Sequence, residues 1–218
     1  MKSIQKNFLY NVLYQILLVI LPLITAPYIS RTLGATSVGV YSYTYSVAYY
    51  FLMIAMLGIG NHGNRSIAAV RDDREKLNKT FSSIYLLQIT TFSIAIFAYI
   101  IYYIVFVKDN RLIVLLQLIY VTSGLFDIGW LFFGLEQFKL TVTRNTLIKI
   151  STVLLMFVFV HKPTDLWKYT LIMASGTLLS QAYLWVYVKK YVTFVKCNFI
   201  EIFSNIKPVL ILFIPVLA

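Results

Sequence analysis

Apolar positions in this chain come in long runs, broken by short polar and basic segments. Crossing hydrocarbon takes about twenty mostly apolar residues. The pattern supplies six such runs, near 8–30, 38–60, 81–107, 112–134, 141–160 and 166–188. A seventh opens at Pro208 and reaches only Ala218, the beginning of a further helix. The expected fold is all-α: a polytopic transmembrane bundle with residues 1–207 as one unit of six spans and 208–218 as a truncated start of the next.

Within the spans the polar positions follow the helical period. At about 100° per residue, Asn7, Asn11, Gln15, Pro22 and Thr25 of the first span fall in a sector of roughly 80°. The second span opens with Tyr41, Ser42, Tyr45, Ser46 and Tyr49. The fourth aligns Gln117, Tyr120, Gly124 and Asp127, and the fifth Thr141, Asn145, Lys149, Thr152 and Met156. Lipid offers such faces no hydrogen bonds. Four polar faces exceed what one packed seam uses, and they imply a water-accessible cavity between helices. In the sixth span, Gly176 and Ser180 form a small-xxx-small pair beside Gln181, and there helix packing accounts for the pattern.

The stretch LPLITAPYISRTLG places Pro22, Pro27 and Arg31 at the end of the first span. Proline frees carbonyls that only protein or water can satisfy, so a bent first span facing protein or a cavity is expected. Arg31, past the bend, is either a snorkelling anchor or the mouth of that cavity.

Composition agrees with the pattern. The 218 residues are 60% hydrophobic and 12% charged, with a mean hydropathy of +0.79, which no soluble core could enclose. The first thirty residues carry Lys2 and Lys6 before an apolar stretch, like a signal peptide, but the stretch is too long and no A-x-A site follows. The single cysteine, Cys197, excludes an internal disulfide and a cysteine metal cluster. A net charge of +11 would point to nucleic acid in a soluble chain. Here topology absorbs it. With the N-terminus cytoplasmic, 14 of the 19 basic residues fall inside, among them Arg65, Arg71, Arg74, Lys139, Arg144 and Lys149, and 5 outside: Arg31, Lys108, Arg111, Lys162 and Lys168. The positive-inside rule selects that orientation and makes anionic inner-leaflet lipid the partner of the basic surplus, with no nucleic acid.

Several motifs carry no chemistry. GIGNHG, Gly58 to Gly63, has the spacing of a dinucleotide fingerprint but closes a membrane helix, where glycines ease packing and exit. RDDRE, Arg71 to Glu75, reads as a solvated loop of mixed charge, since metal-held diphosphate chemistry needs carboxylates recurring at helical spacing. His62 and His161 have no carboxylate or cysteine at ligand spacing. The sequons at Asn64 and Asn78 fall in an inner loop. No cofactor, metal or catalytic residue is expected. Asp127 and Lys149 both lie roughly 10–12 Å below the inner interface if spans four and five are continuous helices. They are expected either to face each other as an ion pair or to separate, with Lys149 snorkelling and Asp127 neutral.

Three stretches carry a resemblance: APYISRTLGATSVGVYSYTYSVAYYF, LGIGNHGNRSIAAVR and DIGWLFFGLEQFKLTVTRNTLIKI. Together they resemble the N-terminal half of the bacterial Wzx-type polysaccharide flippases, of the multidrug, oligosaccharidyl-lipid and polysaccharide transporter superfamily. The resemblance implies one six-helix lobe of a two-lobed transporter in the bacterial plasma membrane, with residues 208–218 starting the second lobe. It also implies a central cationic cavity and an undecaprenyl-diphosphate-linked oligosaccharide as substrate, flipped outward for O-antigen, capsule or exopolysaccharide synthesis without covalent chemistry. Polysaccharide polymerase and chain-length proteins are the implied partners. Arginine pairs phosphate oxygens in a planar fork, so the substrate-binding candidates are Arg31 at the outer mouth, Arg65 and Arg144 at the inner mouth, and Asp127 and Lys149 deeper. The alternatives are a multidrug or cation antiporter, for which Asp127 is the one intramembrane carboxylate, and a polytopic glycosyltransferase or prenyltransferase.

Overall fold

The computed structural model describes the backbone of residues 2–217 and the side chains of residues 19–213. The helices are α1 (Lys2–Met56), α2 (Ile59–Val70), α3 (Arg74–Val105), α4 (Arg111–Ser123), α5 (Gly129–Gly134), α6 (Phe138–Phe159), α7 (Leu166–Tyr191), α8 (Phe199–Phe203) and α9 (Ile206–Leu217). Among the described residues there is no strand, and five helical stretches are long and apolar enough to cross a membrane. The first of them, Val19–Val70, contains the turns that divide it further. The chain is an all-α, multi-pass membrane protein.

The first two expected spans are two arms of α1, and their junction is Gly34 (φ 77°, ψ 163°), the one non-helical residue inside it. That φ belongs to glycine, because any Cβ would meet the backbone there. Pro22 and Pro27 instead lie inside the helical run, so the chain changes direction seven residues beyond the expected proline bend. Asn7, Asn11 and Gln15 of the expected polar stripe lie outside the described side chains; Pro22 is exposed and Thr25 half-buried.

The second arm of α1 packs on α3 and α4, and α7 lies against α4 and α6. At one end, Tyr28 Oη donates to Val160 O (2.7 Å), and the Tyr41 and Tyr169 rings pack 4.7 Å apart. At the other end, Arg71 pairs with Glu136, Tyr191 Oη donates to Gln137 Oε1 (3.2 Å), and Thr193 N donates to Asn78 Oδ1 (2.9 Å). These contacts gather the turn before α3, the turn before α6 and the connector after α7 at one end of the bundle, with Arg71, Arg74, Lys76, Lys79, Lys139, Lys189, Lys190 and Lys196 in or beside them. The asymmetry of charge is thus an asymmetry of the fold.

The segment after the second span is more ordered than a loop: α2 continues almost to α3, and only 71–73 turn. Asp73 caps α3 by accepting from Lys76 N (3.1 Å) and pairs with Lys76 Nζ (2.9 Å), so its carboxylate serves the turn locally. In GIGNHG, a Cβ on Gly63 would fall 2.6 Å from the Trp130 ring, so glycine there lets α2 and α5 touch. The core at the basic end combines Ile59, Ile67, Phe81, Ile84, Leu131 and Leu184. The opposite end is filled by Ala48, Tyr99, Val114 and Val121, with Tyr99 Oη donating to Val114 O (2.7 Å). Outward faces are apolar, as Ile94, Phe97, Ile101 and Ile104 on α3 show. Their spacing of three and four makes one lipid-facing stripe.

Candidate substrate pathway in the lobe

The fourth expected span is not one helix. It stops at Ser123, tightens to a 3₁₀ turn at Gly124–Phe126, passes through Asp127 in an extended conformation (φ −75°, ψ 96°) and resumes as α5. Broken backbone within a membrane persists only where protein or water satisfies its polar groups. Here protein does. Gln88 Nε2, fully buried on α3, donates to Gly124 O and Asp127 O (both 2.8 Å), while Gln88 Oε1 accepts from Trp130 Nε1 (3.0 Å). Trp185 Nε1 of α7 donates to Phe126 O (2.9 Å), and Asp127 Oδ1 accepts from Gly129 N (3.0 Å). Gly124 completes the fit, since a Cβ there would fall 2.3 Å from Phe92.

Arg144 lies six residues into α6, about 9 Å from its start, and is buried. Its Nε and Nη2 donate to Asn145 Oδ1 (3.1 and 2.8 Å), and Nη1 donates to Gln181 Oε1 of α7 (3.1 Å). Two amides therefore fix the plane of the guanidinium. Arg144 is also the cation whose charge acts on the half-buried Asp127. Lys149 does not take that role, and no ion pair joins it to Asp127. Five residues turn an α-helix by roughly 500°, so Arg144 and Lys149 point about 140° apart. The depth estimate that paired Asp127 with Lys149 also assumed a continuous fourth span, which the break removes.

Lys149 is exposed and lines a groove of about 320 Å³ between α6 and α7, together with Asn145, Thr152, Thr177, Ser180 and Gln181. Gly176 sets the depth of this groove, because a Cβ there would lie 2.2 Å from Thr152 Cγ2. Packing, the role read from its spacing, is therefore only part of what the sixth span does. Gln181 both holds Arg144 and lines the groove.

The structure thus sets Arg144 within electrostatic reach of Asp127 and carries its partners Asn145 and Gln181 to the groove that Lys149 lines. Arg31 and Arg65 are exposed on α1 and α2, and neither hydrogen-bonds nor ion-pairs with this group. The tyrosines of the second span form a separate feature. Tyr41, Tyr45 and Tyr49 stack in succession (5.8 and 6.3 Å), Tyr45 packs on Tyr120 (4.9 Å), and Tyr45 Oη donates to Tyr120 Oη (3.2 Å). Gln88 and Gln181 were not legible as site residues. Each is a single polar position in an apolar helix, and its partner, a helix break or a guanidinium, lies tens of residues away in sequence. Among the described residues no group of histidine, cysteine or carboxylate is placed to hold a metal ion.

A profile of polysaccharide biosynthesis proteins matches residues 4–214. The chain belongs to that family. Among curated members of similar sequence, a protein of Escherichia coli (strain K12) named "Putative O-antigen transporter" is 25% identical over 181 residues, covering 82% of this chain and 43% of the relative. A Shigella dysenteriae protein of the same name is 26% identical over 147 residues, covering 66% of this chain and 37% of the relative. The chain therefore spans about two fifths of the length of these relatives. No solved structure matches it significantly. For this polysaccharide biosynthesis family member, the match covers the broken fourth span, Arg144 and the groove alike.

Proposed function

We propose that the chain is a lobe of a transporter that moves a lipid-linked oligosaccharide, carried on an undecaprenyl diphosphate, from the cytoplasmic to the outer face of a bacterial plasma membrane. The observation that carries this reading is Arg144, a buried guanidinium held in plane by two neutral amides inside a membrane bundle. A permanent charge at that depth is retained for an anion or for a pathway. Its planar fork suits phosphate oxygens, and the hydroxyls and amides of the adjoining groove suit a hydrated, sugar-bearing headgroup. The names of the relatives and the family support the same reading, and transport without covalent chemistry accords with them. Lys149 is assigned the outer part of the groove. Arg31 and Arg65 are assigned to the two mouths, as anchors or first contacts. Polymerase and chain-length proteins are the expected partners downstream.

The break at Asp127 favours a second reading, a cation or drug antiporter, since an acid in a discontinuous helix is also what an ion site uses. Vesicles prepared from cells expressing the full reading frame separate the two. Flipping of a labelled lipid-linked oligosaccharide, lost in Arg144→Ala at normal abundance, supports the flippase. Drug efflux that depends on Asp127, with no flipping, supports the antiporter, and new glycosidic bonds would make it an enzyme. Orientation is tested by reporter fusions after Lys108 and Lys162, expected outside, and after Arg74, expected inside. The opposite signals would reverse it.

A further inference from the structure

The connector between α7 and α9 belongs to no span, yet it turns apolar side chains outward. In α8, Phe199, Ile200 and Phe203 are 79%, 83% and 50% exposed, and they share a sector of roughly 100°. Phe199 and Phe203 stack with centroids 6.4 Å apart. The opposite side of α8 faces the protein. Glu201 Oε1 meets Lys79 Nζ at 2.7 Å, Ile202 packs on the core, and Asn205 Nδ2 donates to Ser83 Oγ (3.3 Å). Ahead of α8, Thr193 N donates to Asn78 Oδ1 (2.9 Å) and Val195 N to Ser82 Oγ (3.0 Å).

The anchor points set the depth of the connector. Asn78, Lys79, Ser82 and Ser83 lie four to nine residues into α3, about 6–14 Å from its first residue. There the polar REKLNK gives way to the apolar run from Phe81, which is the level of lipid headgroups. The connector consequently lies along the flank of the bundle and not across its end. Its outward side faces sideways, continuous with the apolar faces of the spans. Lys189, Lys190, Lys196 and Lys207 are exposed around it, and cations at this level complement phosphate.

We propose that residues 192–205 form an in-plane interfacial anchor, seating Phe199, Ile200 and Phe203 in a leaflet of anionic phospholipid while Glu201 holds the anchor to α3. An amphipathic segment of this kind binds through buried apolar area plus attraction to anionic headgroups. The anchor stands apart from the substrate assigned above, since it uses none of the pathway residues.

Nitroxide scanning of the full-length protein in vesicles tests it. In a Cys197→Ser background, labels are placed singly through Ile200→Cys, Phe203→Cys and Lys196→Cys, all exposed positions whose change removes no core packing. In phosphatidylcholine, labels at 200 and 203 should collide more with oxygen and less with a nickel chelate than the label at 196. Adding phosphatidylglycerol should shift that ratio further, and Lys196→Gln with Lys207→Gln should cancel the added shift. Equal collision ratios at 196, 200 and 203 would place the segment in water. Protection of 200 and 203 from both reagents would mean that a second copy or a protein partner covers them. An unchanged ratio on adding phosphatidylglycerol would remove the anionic lipid. Each of these three results overturns the proposal.

Discussion

Gln88→Leu keeps the side-chain volume and removes the brace of the broken fourth span. Three hydrogen bonds go: two donated to Gly124 O and Asp127 O at 2.8 Å, and one accepted from Trp130 Nε1 at 3.0 Å. Bonds between membrane helices are worth about 0.6–1 kcal/mol each, so their direct loss is roughly 2–3 kcal/mol. Gly124 O still accepts from Asp127 N (3.2 Å), which leaves Asp127 O and Trp130 Nε1 as the stranded groups. Stranding a buried polar group costs about 1–3 kcal/mol, partly relieved if the break relaxes, so the total expected loss is about 2–5 kcal/mol. Thermal unfolding of the full-length protein in detergent reads that loss as a lowered midpoint, and tryptophan emission reports the release of Trp130. The cycle with Trp130→Phe, which removes only the indole N–H from the shared bond, should show a coupling of about 0.5–1 kcal/mol. A wild-type midpoint for Gln88→Leu, or strict additivity with Trp130→Phe, would refute the claim that this glutamine sustains the break.

On the flippase reading, export defects of Asp127→Asn and Arg144→Gln should be non-additive because the Arg144 charge bears on Asp127. Those of Asp127→Asn and Lys149→Gln should add within about 0.5 kcal/mol; the reverse pattern in export assays would restore the Asp127–Lys149 pair. Gly63→Ala forces a Cβ to within 2.6 Å of the Trp130 ring and should destabilise by about 1–3 kcal/mol, with partial rescue by Trp130→Leu in the same thermal assay. An unchanged midpoint would mean that α2 and α5 have slack. The Lys79 ammonium beside Glu201 holds that carboxyl below its ordinary value of 4.5. The docking it supplies is therefore present above about pH 4.5 and lost as pH falls through the lowered value. A nitroxide at Ile200→Cys should keep its mobility from about pH 8 to 5 and loosen only below about 4.5, and loosening near neutrality would contradict the ion pair.

Hydrophobic run length by itself determined the class, an all-α multi-pass membrane protein. This is a property of each segment against its solvent: a run of apolar side chains must meet lipid or core whatever its neighbours are, and among the described residues five helical stretches are long and apolar enough to cross a membrane. Sequence also placed Asp127 and Lys149 on polar faces and Arg144 at the inner mouth. Tertiary structure decided which of them meet. The Asp127–Lys149 pair failed because its geometry presumed an unbroken helix, and the break is stabilised by Gln88 and Trp185, side chains 36 or more residues away from the groups they satisfy. The junction at Gly34 is likewise a backbone feature that the apolar pattern did not point to. Gln181 read as packing because spacing reports which face of α7 a residue occupies and says nothing of what α6 presents to it. A helix can be read from its own residues, because its hydrogen bonds are local; a site made of the contacts between helices exists only once they have packed.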